Sequence, residues 1–162
     1  MLGFIGGTGP EGRGLALRMV LAGEAVLIGS RDPARAKAAA REVLALAPGA
    51  QVEGVENREC ARRADLAFLT VPYSAHRSMA EALREELRGK VVVDVVSPLV
   101  YREGRVRAVP VEEGSAAQQA QRLLPDSRVV AAFHTISAED LLVPGRRIDC
   151  DVVVCSDDAE AK

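Results

Sequence analysis

Gly7, Gly9 and Gly12 stand at the spacing G-x-G-x-x-G inside the run Gly6-Gly7-Thr8-Gly9-Pro10-Glu11-Gly12. That spacing suits one task, which is to hold a dinucleotide. Gly7 permits the tight turn, Gly9 lets a pyrophosphate come up to the backbone, and Gly12 lets the next helix pack closely on the preceding strand. The anion then meets the positive end of a helix, where unpaired N–H groups point outward. Thr8, Pro10 and Glu11 fill the positions between and belong to the same cofactor loop. The competing reading is a structural glycine turn, and the flanking residues decide against it. Leu2, Phe4 and Ile5 form an apolar run before the glycines. Leu15, Ala16, Met19, Val20 and Ala22 recur at helical spacing after them, and Gly23 then stops the helix ahead of Ala25-Val26-Leu27-Ile28.

The corner after that second strand selects the dinucleotide. An NAD site places Asp or Glu about twenty residues past the glycines to hold the ribose hydroxyls. Here the chain reads Gly29-Ser30-Arg31-Asp32-Pro33, with Arg35 close behind. A hydroxyl at Ser30 and the planar guanidinium forks of Arg31 and Arg35 suit a 2′-phosphate, which points to NADP(H). The alternative makes Arg31 and Arg35 solvated charges at a helix start, with Asp32 as N-cap and Pro33 at N1. Basic residues there oppose the helix dipole, so they need a reason of their own.

Other candidates sit where strands end. The run 67–71 reads as a buried strand, which places Thr70, Val71 and Pro72 at its carboxyl end against the cofactor. Ser97 and Pro98, where the apolar run 91–96 breaks, are assigned to the same site. His134, after the strand 129–133, is the one histidine placed for chemistry, against the alternative of a polar loop side chain. His76, early in a helix, reads as a surface residue. No Ser-His-Asp order, HExxH helix or carboxylate pair stands out. Cys60, Cys150 and Cys155 lack C-x-x-C spacing and read as small buried apolar residues. Asp149, Asp151, Asp157 and Asp158 read as strand-end and capping residues, so no metal site is expected.

The elements that must position these residues alternate regularly. Helices are expected over 34–46, 57–63 (capped by Asn57), 74–87 and 115–124 (capped by Ser115). Strands are expected over 51–55, 67–71, 91–96, 129–133 and 150–155, with 134–138 a polar turn and 156–158 the start of a helix. Helices between short, continuously apolar strands give an α/β fold: a Rossmann-type doubly wound, mostly parallel sheet with helices on both faces. With 162 residues and 48% hydrophobic content, one domain over 1–162 is expected. A net charge of −2 and 3% aromatic content argue against a nucleic-acid surface. The opening apolar run lacks a basic flank and is cut by glycines, so neither a signal peptide nor a membrane span is read there, and a cytoplasmic protein with a small-molecule partner is expected.

Gly6-Gly7-Thr8-Gly9-x-x-Gly12-x-Gly14-Leu15-Ala16-Leu17, Gly29-Ser30-Arg31, Leu69-Thr70-Val71-Pro72, Ser97-Pro98-Leu99-Val100, Ala132-Phe133-His134-Thr135-Ile136 and Val154-Cys155-Ser156-Asp157-Asp158 occur in that order. In this order the chain resembles the NADPH-dependent reductases of coenzyme F420, a deazaflavin. The resemblance implies direct hydride transfer between NADP(H) and the deazaflavin or a flavin. It implies that Thr8, Ser30, Arg31 and Arg35 hold the adenosine phosphates, with Arg35 where the family also has Lys. Pro72, His134 and Ile136 would line the two rings, with His134 and Ile136 positioning them rather than moving protons. Family members continue past 158 through a closing segment that helps form the deazaflavin pocket and a homodimer contact, whereas this chain ends at Lys162. Two other readings stand beside this one: an NADP(H)-binding sensor or truncated relative without turnover, and an NADPH-dependent reductase of another acceptor such as flavin or ferric ion.

Overall fold

The computed structural model describes residues 1–102 and 104–161, with the backbone alone at 101 and 102. Strands β1 (Leu2–Ile5), β2 (Val26–Ser30), β3 (Val52–Glu56), β4 (Leu66–Leu69), β5 (Val91–Asp94) and β8 (Arg128–Ala131) form a six-stranded sheet in the order β3-β2-β1-β4-β5-β8. Every pairing in it is parallel. Between β5 and β8, β6 (Leu99–Arg102) and β7 (Arg105–Ala108) make a separate antiparallel ribbon. The helices are α1 (Pro10–Leu21), α2 (Pro33–Leu46), α3 (Asn57–Arg63), α4 (Tyr73–Ala82), α5 (Ala116–Leu123) and α6 (Ala138–Leu141).

The inner strands β1, β2, β4 and β5 are mostly apolar because both faces of the sheet are covered, and charged residues fall chiefly on the edge strands β3 and β8. Successive side chains alternate between two cores. Phe4, Ile28, Phe68 and Val93 pack with α1, α2 and α6, whereas Ile5, Leu27, Leu69 and Val92 pack with α3, α4 and α5. The rings of Phe4 and Phe68 stack with centroids 4.5 Å apart, joining β1 to β4 at the middle of the sheet. Asp32 caps α2 by accepting from the Ala34 N–H at 2.8 Å, and Ser115 caps α5 by accepting from the Gln118 N–H at 3.2 Å.

Several stretches differ from the sequence reading; the helix expected over 74–87 ends at Ala82, with turns beyond it. The cap of α3 is the Glu56 carboxylate, which accepts from the Arg58 N–H at 2.8 Å, because the Asn57 side chain is taken up by the glycine loop. Residues 150–155 do not form a strand; one antiparallel bridge joins Ala131 to Cys155, and Val152, Val153 and Val154 are exposed. Cys150 and Cys155 lie exposed on this segment and only Cys60 is buried. At 156–158 the Ser156 hydroxyl accepts from the Asp158 N–H, closing a local turn where a helix start was expected.

The expected polar turn 134–138 runs into α6, capped by Ser137 and too short to show a helical period. Arg18 of α1 holds this helix, its guanidinium donating to the carbonyls of Leu141, Asp140, Val143 and Arg146 at 2.7–3.0 Å. The Asp140 and Leu141 carbonyls lie at the C-terminal end of α6, where carbonyls lack a next-turn partner, and those of Val143 and Arg146 in the turn just beyond it. Gly14 makes the approach possible, since a Cβ there would lie 2.6 Å from that of Leu141.

Candidate functional site

Chain order reverses between β1 and β4, where β2 and β3 lie to one side and β4, β5 and β8 to the other. Ligands of such sheets bind outside the carboxyl strand ends at this switch point. A cleft of about 600 Å³ opens there.

At one end lies the glycine loop. Gly6 has φ +71°, and a Cβ on it would come 2.4 Å from Val71 Cγ1. Its N–H donates to Asn57 Oδ1 at 3.0 Å, and the Gly7 N–H donates to the Gly29 carbonyl at 3.0 Å. Gly12 presses on the turn from the helix side, with a Cβ there only 2.5 Å from Gly7 Cα. Gly7 and Gly12 therefore lie beneath the loop and do not line the cleft, whereas Thr8, Gly9, Pro10 and Glu11 do. Gly9 faces open space, and no side chain caps α1 behind it. The first N–H groups of α1 are left for an anion, which fits a pyrophosphate.

Glu11 qualifies that picture. Burial pushes its carboxyl up to about 6, and its Oε1 is buried without a hydrogen-bond partner among the described residues. As pH rises through 6 a negative charge develops in the first turn of α1, beside the place where a phosphate would sit. NADPH affinity of the wild type relative to Glu11→Gln is therefore expected to fall between pH 5 and pH 8. Calorimetric titration of both proteins across that range checks it, and a constant ratio would refute the role.

Ser30, Arg31 and Arg35 line the cleft beyond the loop. Ser30 is buried and its hydroxyl accepts from the Asp32 N–H at 3.2 Å, while Arg31 and Arg35 are exposed. Neither arginine forms an ion pair with a described residue. Two unneutralised guanidinium groups around a hydroxyl fit a phosphate on the adenosine ribose.

The other end is largely apolar. Thr70, Val71, Pro72, Ser97, His134 and Ile136 all reach the cleft. The Thr70 hydroxyl donates to the Ile5 carbonyl at 2.8 Å, tying the end of β4 to the end of β1. His134 is exposed, and Ile136 is half-buried against the Phe4 and Phe68 core. Phe133, between β8 and this turn, has φ +69°, a strained value for a bulky residue. Pro98 stays outside the cleft, its carbonyl accepting from the Val109 N–H at 2.8 Å. Among the described residues no group of three or more His, Cys, Asp or Glu side chains could hold a metal ion, and no helix is long and apolar enough to cross a membrane.

Several residues at or behind the cleft escaped the sequence reading. Asn57 lines it, as do Tyr73 and Met79 of α4 and Val95, Val96 and Leu99 after β5. His76 is fully buried and not a surface residue. Its Nε2 lies 2.7 Å from Asp94 Oδ2 and its Nδ1 lies 3.1 Å from Gln119 Oε1. Gln119 Nε2 donates to Glu113, so its oxygen must face the ring and Nδ1 carries a proton. Burial alone would lower the His76 pKa, but the hydrogen bond and charge of Asp94 outweigh it and leave it raised. Asp94 Oδ1 also accepts from the Val96 N–H at 2.8 Å, which shapes the floor formed by Val95 and Val96. The spacing held a signal for this site: His76, Ala80, Leu83 and Leu87 form one buried stripe, and Asp94 interrupts an apolar strand.

A parallel sheet in this order, with a cleft at its switch point and a glycine turn opening α1, defines a Rossmann-type α/β domain. The family described as coenzyme F420-dependent NADP oxidoreductase matches residues 1–98. The F420-dependent NADP reductase of Methanothermobacter marburgensis is 43% identical over 166 residues, covering 99% of this chain and 74% of that protein. That of Methanocaldococcus jannaschii is 36% identical, again over 99% of this chain and 74% of its own length. The crystal structure of a candidate F420-dependent NADP reductase from Arthrobacter sp. FB24 superposes with a TM-score of 0.82 at 30% identity, covering 99% of this chain and 75% of that one. The chain belongs to the coenzyme F420-dependent NADP oxidoreductase family. It is also 34% identical to the metalloreductase STEAP3 of Rattus norvegicus, over 96% of this chain and 29% of that protein.

Proposed function

We propose that residues 1–162 form one NADP(H)-binding unit that carries a hydride between NADP(H) and a deazaflavin acceptor. One observation carries this reading: a single cleft joins an uncapped helix end and a cationic corner to an apolar end. Gly9 and the first turn of α1 receive the pyrophosphate, and Ser30, Arg31 and Arg35 receive the 2′-phosphate. Val95, Val96, Phe133 and Ile136 offer flat apolar contact and exclude water, while Pro72 and His134 border the same space. The two bound rings themselves supply the chemistry, a hydride passing directly from one to the other. The protein's work is alignment, and alignment alone contributes several kcal/mol to such reactions.

Ile136→Gly is expected to slow hydride transfer in single-turnover mixing by about tenfold or more while leaving NADPH affinity within about twofold. An effect on affinity alone would move Ile136 away from the rings. The reading as a whole is tested by mixing the protein with NADPH and oxidised coenzyme F420 and following deazaflavin absorbance. NADPH binding without bleaching would leave a cofactor-binding module without turnover. The similarity to the metalloreductase makes FMN with ferric ion the second acceptor to try in the same cuvette.

A further inference from the structure

One buried polar cluster lies behind the cleft and not in it. His76 and Asp94 are both fully buried, and the histidine ring is held from two directions, by Asp94 at 2.7 Å and by Gln119 at 3.1 Å. Three elements supply these groups: α4 the histidine, β5 the aspartate and α5 the glutamine. The hydrogen bonds run on to the surface, where Gln119 Nε2 donates to Glu113 at 2.9 Å and Arg77 donates to the other oxygen of the same carboxylate, also at 2.9 Å. On the cleft side the Tyr73 ring stacks on His76, with centroids 6.0 Å apart.

The cluster joins two stretches that line the cleft. Tyr73, Ala75 and Met79 of α4 line it, as do Val95, Val96 and Ser97 just past β5. The sheet ladder fades where this second stretch begins: the Val95 N–H still reaches the Leu69 carbonyl, at 3.4 Å, but the Val96 N–H donates to Asp94 Oδ1 at 2.8 Å. Asp94 therefore holds the floor with one oxygen and His76 with the other. The side chains of Val95 and Val96 enter opposite cores, so a rotation of the peptide between them would move both. An apolar pair of similar volume often holds a core as well as a buried ion pair does, so stability is a poor account of this one. What hydrogen bonds add is direction.

We propose that His76 is a positioning residue for hydride transfer: gripped by Gln119, it fixes the Asp94 carboxylate, which in turn sets the Val95-Val96 floor against α4. This rests on the hydride-transfer reading given above. His76 does not line the cleft and needs to move no proton; its effect passes through two hydrogen bonds to the backbone beneath the apolar end. Transfer between two aligned rings is steep in distance, and a displacement of about 1 Å costs on the order of a hundredfold in rate. Phosphate binding at Gly9 and Arg31 is set at the other end of the cleft, so it should not register the change.

The test compares the wild type with three variants. Asp94→Asn/His76→Leu breaks the link without stranding a buried charge, His76→Gln keeps a nitrogen donor for Asp94, and Gln119→Leu removes the second hold on the ring while Asp94 stays paired. Each is read by NADPH dissociation constant, by amide hydrogen exchange at Val96 in the protein without ligand, and by single-turnover reduction of coenzyme F420 with NADPH. In the double variant, transfer is expected to slow by about tenfold or more and Val96 exchange to quicken by about tenfold, with NADPH affinity within about twofold and exchange at Val92 and Val93 unchanged. His76→Gln should stay within about threefold of the wild type on both counts, and Gln119→Leu should slow transfer by about threefold or more. Wild-type transfer in the double variant, or in Gln119→Leu should the double not fold, overturns the proposal. So does a His76→Gln variant as slow as the double, which would make ring volume the requirement, and so does an equal loss of NADPH affinity, which would mean that the whole domain had loosened. A wild type that does not reduce the deazaflavin overturns the hydride-transfer reading and this role with it, whereas equal rates in wild type and variants overturn this role alone.

Discussion

Asp94→Ala is expected to lower the unfolding free energy by about 3–5 kcal/mol, because it leaves the buried His76 ring without the carboxylate that balances it. It also strips the Val96 N–H of its acceptor at the cleft floor. Urea denaturation reads the loss as a shift in midpoint at unchanged slope. Asp94→Asn keeps the shape and an acceptor oxygen and should lose less. The pH dependence separates an ionic pair from a neutral one. The His76 pKa is raised in the fold, so the pair's contribution is fully present below the unfolded value of about 6.5 and is lost as pH rises through the folded value. The advantage of wild type over Asp94→Asn should therefore be larger at pH 6 than at pH 9. A difference that stays flat over that range would mean that the ring carries no charge.

The second large effect concerns the cationic corner. Arg31→Ala should weaken NADPH binding by about 1.5–3 kcal/mol, which is about ten- to hundredfold, and leave NADH binding nearly unchanged. The distinction arises because Arg31 lines the cleft without a described ion-pair partner, so its guanidinium is available to a 2′-phosphate that NADH lacks. Equal losses for the two cofactors would show that Arg31 shapes the α2 corner and does not recognise the phosphate. Asp32 remains in place to cap α2 in the variant, which keeps the two explanations separable.

The first two thirds of the sheet were legible because short-range signals agree there. Glycine spacing, apolar runs and the Asp32-Pro33 cap all mark the same boundaries, and the parallel register follows from them. The glycine-loop and Ser30–Arg35 end of the cleft was legible for the same reason, since its lining groups lie within or next to those turns. The remainder depends on contacts that a local pattern does not carry. Asn57 reads as a helix cap until the glycine loop, 51 residues away, claims its oxygen. His76 looks like a polar residue on an exposed helix until Asp94 and Gln119 arrive from two other elements. The valines at 152–154 read as a strand, yet only Cys155 bridges to β8. The ribbon at 99–108 follows a break already visible at Ser97-Pro98, but its return depends on Gly104, at φ +72°, and on cross-strand pairing.

Arg18 gives α1 a second role besides presenting its first turn to the cleft. The helix begins at Pro10, in the cleft, and Arg18 grips the carbonyl end of α6 about 12 Å further along the axis. The segment gripped there follows directly on the turn that carries His134 and Ile136. One rod thus ties the cleft-lining start of α1 to the segment behind the cleft-lining turn at His134 and Ile136, so the two sides of the cleft are held to one another by a helix and not by the slack of two independent loops.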